Sequence, residues 1–145
     1  MPKHTNPLIV LGFDFGMRRI GVAIGQTITT TARPLTVLDA KDGIPRWKEI
    51  GDLISTWQAE ALIVGVPYNI DGSDQEISLA AKKFSRRLES KFKLPVHLID
   101  ERYSTKIAKS NPEFKTNKNA SIDSYAAAII LDAWLQQQPP LNDTP

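Results

Sequence analysis

The 145-residue chain contains no cysteine. That excludes disulfides, thiolate nucleophiles and cysteine-bound zinc, and it fits a cytosolic protein. Only two histidines occur, His4 and His97. A histidine-rich zinc site is thereby excluded, and any bound metal is expected to be a hard, oxygen-ligated ion such as Mg2+ or Mn2+. No apolar run approaches the ~20 residues of a membrane span, and no charged-apolar-small leader opens the chain, so a membrane partner is not expected. There is no internal repeat and no Gly-x-x-x-x-Gly-Lys-[Ser/Thr] phosphate loop. Net charge is also scarce, at +2, too little to mark a nucleic-acid binder by itself.

What is present is an ordinary globular composition, 41% hydrophobic and 23% charged. A chain of this length buries roughly 68–70% of its unfolded surface in one domain. The expected plan is a flexible start over residues 1–7, one domain over 8–137 and a flexible tail over 138–145. Residues 8–16 read as a buried strand that carries Asp14 near its end. After a turn at Gly16, residues 20–25 return as the second strand of a hairpin, and 35–38 form a short third strand. Asp42-Gly43 and Pro45 mark a turn. Helical spacing of Trp47, Ile50, Ile54 and Trp57 predicts a helix over 46–58, both tryptophans serving as core anchors. The apolar run 61–66 reads as a strand covered on both faces. Ser73 with Glu76 reads as a capping box that opens a helix reaching about Lys91. Residues 96–101 form another strand, a short helix starts near Ser104 or Thr105, segment 111–119 is polar, and a last helix spans about 121–137.

Three strands in hairpin order followed by alternating helices and strands predict an α/β mixed sheet with a parallel half. Ligands gather at the carboxyl ends of strands in such sheets, where Asp14, the 67–73 loop and the acids at 100–101 all fall. Asp123 joins them from the last helix. It shares the inward, apolar stripe with Ala126, Ala127, Ile130 and Trp134. Asp100 and Glu101 are neighbours in a strand, so only one of them faces a given site, and the alternation alone does not choose between them. Carboxylates crowded together repel, and one holds a proton unless cations compensate. Two divalent ions about 3.5–4 Å apart resolve such crowding and can drive phosphodiester hydrolysis. Basic clusters at Lys82-Lys83 with Arg86-Arg87, and from Arg102 to Lys118, are either solvated faces or grips for phosphate.

Four blocks of residues bring a family into view: Gly12 to Ala23 (GFDFGMRRIGVA), Val64 to Ser73 (VGVPYNIDGS), Asp100 to Thr105 (DERYST) and Asp123 to Ala127 (DSYAA). In this order they resemble the YqgF family of RuvC-like nucleases, over about residues 8–135. The resemblance implies a ribonuclease H-like fold, a five-stranded sheet in the order 3-2-1-4-5 with helices on both faces. It implies Asp14, Glu101 and Asp123 as acidic metal ligands, and so favours Glu101 over Asp100. It further implies a hydrolase that processes the 5′ end of pre-16S ribosomal RNA, or, by fold kinship, a Holliday junction resolvase. Family members tend to carry a longer, more basic and more apolar segment where this chain has 111–119.

On that reading Asp14 bridges two ions, while Glu101 and Asp123 each complete one coordination sphere. Arg18, Arg102 and Lys118 are candidates for phosphate contacts, and the amides opening the helix at Ser73 for another, with plain capping as their alternative use. The expected partners are structured RNA, including a ribosome precursor, or branched DNA. One rival is a non-catalytic RNA-binding module with the same fold. Another is an actin-like ATPase or sugar kinase, which shares the Asp-x-Gly strand and turn but needs two such domains.

Overall fold

The computed structural model describes residues 8–102 and 122–138. The expected flexible start, the tail from residue 139, the helix near Ser104, the 111–119 segment and Lys118 lie outside the described residues. In chain order the elements are β1 (Ile9–Asp14), β2 (Arg19–Gln26), β3 (Thr31–Lys41), β4 (Ile44–Pro45), α1 (Trp47–Trp57), β5 (Ala61–Val66), α2 (Glu76–Phe92), β6 (Val96–Asp100) and α3 (Ile122–Gln136). The described residues form a six-stranded sheet in the order β4-β3-β2-β1-β5-β6. β1 to β4 pair antiparallel, while β1–β5 and β5–β6 pair parallel. The anticipated order of five strands is present, extended at one edge by the two-residue β4. That addition follows from Asp42-Gly43: both adopt positive φ, 51° and 79°, and turn the chain so that Lys41 pairs with Ile44.

β3 is longer than residues 35–38. It starts at Thr31 and includes Pro34, which a sequence reading places in a connection. The register between β2 and β3 slips at Val22/Ala23, so Pro34 sits beside a bulge where the ladder does not require its missing N–H. The cap of α2 also differs from expectation. The helix starts at Glu76 with Gln75 as N-cap, whose N–H donates to Ser78 Oγ at 2.9 Å. Ser73 instead stays in the preceding loop, its hydroxyl on Asp71 Oδ1 at 2.6 Å. Ser78 wins because it is buried and its hydroxyl also donates to the Pro67 carbonyl, fastening α2 to the end of β5.

Alternation along the strands divides the core into two layers. Leu11, Phe13, Ile20, Val22, Leu62 and Val64 face α1 and α2, where Ile50, Phe84 and Leu88 meet them. Trp47 packs against Phe84 with ring centres 6.0 Å apart, as a core anchor should. Val10, Ala23, Ile63 and Ile99 face the other way, against Ala127, Ile130, Leu131 and Trp134 of α3. Helices thus cover both faces, and Asp14, two residues on from Gly12, belongs to the α3 side.

Candidate active site

Asp14 ends β1, a central strand, and pairs across the hairpin with Gly21 of β2. On its other side Phe13 pairs with Val64, which brings Asp14 level with Gly65 of β5. Glycine at these two flanking positions determines what can stand beside the carboxylate. A Cβ on Gly21 would collide with the Asp123 carbonyl oxygen, so the absent side chain lets the first turn of α3 lie directly on the sheet. A Cβ on Gly65 would come 2.9 Å from Glu101 Cγ, so that glycine leaves room for the Glu101 side chain to cross over β5. Both contacts are too close for any side chain at these positions without displacement.

Glu101 follows β6 directly, on the α3 side, and its carboxyl is hydrogen-bonded to that of Asp14. Asp100 points to the opposite side, where it accepts from the Arg102 side chain at 2.9 and 3.0 Å and from the Arg102 N–H at 2.9 Å. The alternation of side chains across a strand therefore separates the two acids, and Glu101 is the one that meets Asp14. Burial is the main cause that pushes Asp14 up to about 6, with the charge of Asp123 adding to it. Burial likewise pushes Glu101 up to about 8, followed by the charge of Asp14. The pair shares one proton at neutral pH, held by Glu101 and donated to Asp14. Such sharing is what crowded carboxylates do without a compensating cation.

Asp123 reaches Asp14 through charge, and its Oδ2 lies 3.1 Å from Nε of Arg19 at the start of β2. Among the described residues no three acids are already drawn around a single point. The arrangement is a hydrogen-bonded pair with a third carboxylate alongside, held by an arginine. Arg19 is the residue that the sequence reading passed over in favour of Arg18. Hairpin register was the available signal, because Arg19 lies two residues from Gly21 and so shares its face with Asp14.

The remaining candidates are dispersed. Arg18 is exposed in the turn after β1, where its carbonyl accepts from the Ala40 N–H at 2.8 Å. Arg102 is engaged away from the acidic pair: besides Asp100 it donates to the Ile70 carbonyl at 3.0 Å. Ser73 belongs to the same far side. With Tyr68, Asp74, Lys82, Asp100 and Arg102 it lines an open cleft of about 550 Å³. Lys82 there is paired with Asp74 at 3.0 Å. The amides that open α2 belong to the turn from Gln75 on, not to Ser73.

The sequence pattern of the family described as "RuvX: Holliday junction resolvase" matches residues 8–137. A protein of Coxiella burnetii (strain Dugway 5J108-111), named "Putative pre-16S rRNA nuclease", is 51% identical over 140 residues, covering 95% of this chain and 98% of its own. A protein of the same name from Legionella pneumophila (strain Philadelphia 1) is 47% identical over 133 residues, covering 89% of this chain and 96% of its own. Among solved structures, RuvC of Thermus thermophilus in complex with a Holliday junction substrate superposes with a TM-score of 0.57 at 15% identity, covering 87% of this chain and 91% of that one. The Fowlpox virus Holliday junction resolvase superposes with a TM-score of 0.50 at 13% identity, covering 90% of this chain and all of that one. These likenesses establish a RuvC-like, ribonuclease H-like fold.

Proposed function

Since this chain belongs to the RuvX family, we propose that it is a divalent-metal-dependent nuclease acting on the precursor of 16S ribosomal RNA, with Asp14, Glu101 and Asp123 as its metal-binding and catalytic carboxylates. The observation that carries the reading is the half-buried, hydrogen-bonded carboxyl pair at the ends of β1 and β6, with the Asp123 backbone laid on Gly21 and its charge felt by Asp14. No structural need explains two acids hydrogen-bonded to one another in a place half withdrawn from water, since an apolar pair would be more stable there. The donor set is all oxygen and all carboxylate, which fits Mg2+ or Mn2+ and not a thiophilic ion. Ions bound there supply an activated water and charge stabilisation for the departing oxygen of a phosphodiester.

The protein's own part can be followed residue by residue. Asp14, Glu101 and Asp123 would hold the ions, with Asp14 central and flanked by the other two. Glu101 must give up its shared proton before it can ligate, so loading is favoured as pH rises. The Arg102–Asp100 clamp fastens the exit of β6 to the carbonyl of Ile70, and so fixes the backbone from which Glu101 projects. Arg18, exposed in the turn that follows β1, is kept as a candidate phosphate contact. Lys118 is retained as a candidate from sequence.

Branched DNA is a second substrate reading, favoured by the description of the matching family. One experiment separates these possibilities. The protein and its Asp14→Asn variant are incubated with precursor 16S RNA and with a four-way DNA junction, with and without Mn2+. Mn2+-dependent cleavage of the RNA that disappears in the variant is expected. Equal cleavage by a folded Asp14→Asn protein would falsify the mechanism, and cleavage confined to the junction would transfer the activity to DNA. Binding of RNA without scission under any metal would point to the non-catalytic module.

A further inference from the structure

Resting on the metal-centre reading above, we propose that Arg19 is a built-in cation that masks Asp123 while no metal is bound and passes to a substrate phosphate when metal takes its place. Arg19 opens β2 on the face it shares with Gly21, the residue against which the Asp123 backbone packs. Its Nε lies 3.1 Å from Asp123 Oδ2, and 66% of its side chain is exposed. The cross-strand register sets Asp39 of β3 opposite Arg19, where a surface arginine ordinarily finds its counter-ion. Among the described residues it is Asp123 and not Asp39 that lies within ion-pair distance.

Three properties make this pairing a mask and not a fastening. The two elements are already held by the contact at Gly21, which needs no ion pair to bring them together. An exposed pair of this kind adds little to stability, because water screens both partners. Further, a metal ion brought to the Asp123 carboxylate repels the guanidinium already on its Oδ2, so the two cations compete for one acid. Metal binding therefore releases a planar, permanently charged group at the rim of the carboxylate site. A phosphodiester is the ligand whose geometry and charge a guanidinium matches with two parallel hydrogen bonds. The exchange keeps Asp123 compensated throughout: a fixed cation withdraws as a divalent one arrives, and the substrate's anion receives it.

The test measures Mn2+ affinity by calorimetry on the whole protein, so that it does not depend on turnover. Arg19→Gln removes the competing cation and is expected to bind Mn2+ roughly threefold to fivefold more tightly than wild type, while Arg19→Lys stays near wild type. The same Arg19→Gln protein is expected to bind a labelled precursor 16S RNA fragment about tenfold more weakly in Ca2+, with Arg19→Lys restoring part of the loss. Arg19→Ala serves as a second neutral variant should the glutamine protein fail to fold. Unchanged or weaker Mn2+ binding by folded neutral variants overturns the mask. Tighter Mn2+ binding with unchanged RNA affinity overturns the transfer to phosphate. If wild type and Asp14→Asn bind Mn2+ alike, or neither binds it, the metal centre itself is wrong and the inference falls with it. Binding that Asp14→Asn abolishes but Arg19→Gln leaves unimproved overturns the inference alone.

Discussion

On the side of the sheet covered by α1 and α2 the side chains are large. Phe84 alone touches three rings, with centres 5.8 Å from Phe13, 5.1 Å from Phe15 and 6.0 Å from Trp47. Beneath α3 the sheet offers Gly12, Gly21, Gly25 and Gly65, and the helix answers with Ala127, Ala128 and Ala133. The first side buries aromatic area, the dominant source of stability in a domain of this size. The second gives up that area so that a helix backbone can lie on the strands, and in the space so narrowed it collects acids that repel one another. On the proposed reading, the aromatic core and the chemistry lie on opposite sides of one sheet. The acids are costly only because of the tightness that makes them useful.

Substitutions can pull the two sides apart. Phe84→Ala should cost about 3–5 kcal/mol in urea unfolding, because a buried ring is lost and the surrounding aromatics cannot close the space. The activity per folded molecule should stay near wild type, and a parallel collapse of activity in the folded fraction would show that the sides are not separable. Gly21→Ala should do the reverse. Its methyl displaces the first turn of α3, so Asp123 leaves its place beside Asp14 and cleavage should fall by ~100-fold or more. Single-turnover assays on the folded variant would detect this, and retained activity would sink the role given to close approach.

A third test uses pH. Asp14 and Glu101 ionise at about 6 and about 8 in the folded protein, above their ordinary values of 3.8 and 4.5. The folded state thus holds protons that the unfolded chain has released. The stability this confers is fully present below about pH 4 and is lost as pH rises through the two folded values. Asp71 and Asp100 are shifted downward, by Ser73 and Arg102 respectively, so their contribution has the opposite sign and is lost only in more acidic solution. Melting of metal-free protein should accordingly weaken between about pH 5 and pH 8. Mn2+ should recover more at the upper end than at the lower, and a flat profile would contradict the shared proton. The smallest effect is expected on the solvent face of α1, turned away from the core. Lys48→Ala breaks an exposed pair with Asp52, at 3.1 Å, and should change stability by no more than about 0.5 kcal/mol by calorimetry.

Much of this was legible in the sequence because it depends on periodicity. The hairpin, the buried strand at 61–66 and the inward stripe of α3 each follow from the spacing of apolar residues, and Asp123 is on that stripe. Where several weak preferences competed, the sequence could not arbitrate. Pro34 argues against a strand until a bulge relieves it, and Ser73 with Glu76 reads as the cap until burial selects Ser78 as the partner of Gln75. The choice between Asp100 and Glu101 needed a strand boundary accurate to one residue. Arg102 resembled a phosphate grip because its sequence neighbour Asp100, which occupies it, is also an acid of the motif. Arg19 needed the pairing of Asp14 with Gly21, information that exists only once two strands are aligned.

The sheet order has a consequence for when the protein becomes competent. Asp14 is made early and sits on a central strand, but the neighbour that carries Glu101 alongside cannot dock before α2 and β6 exist, and Asp123 follows later still in chain order, on α3, so the three acids come together only after sheet and helix have closed on one another.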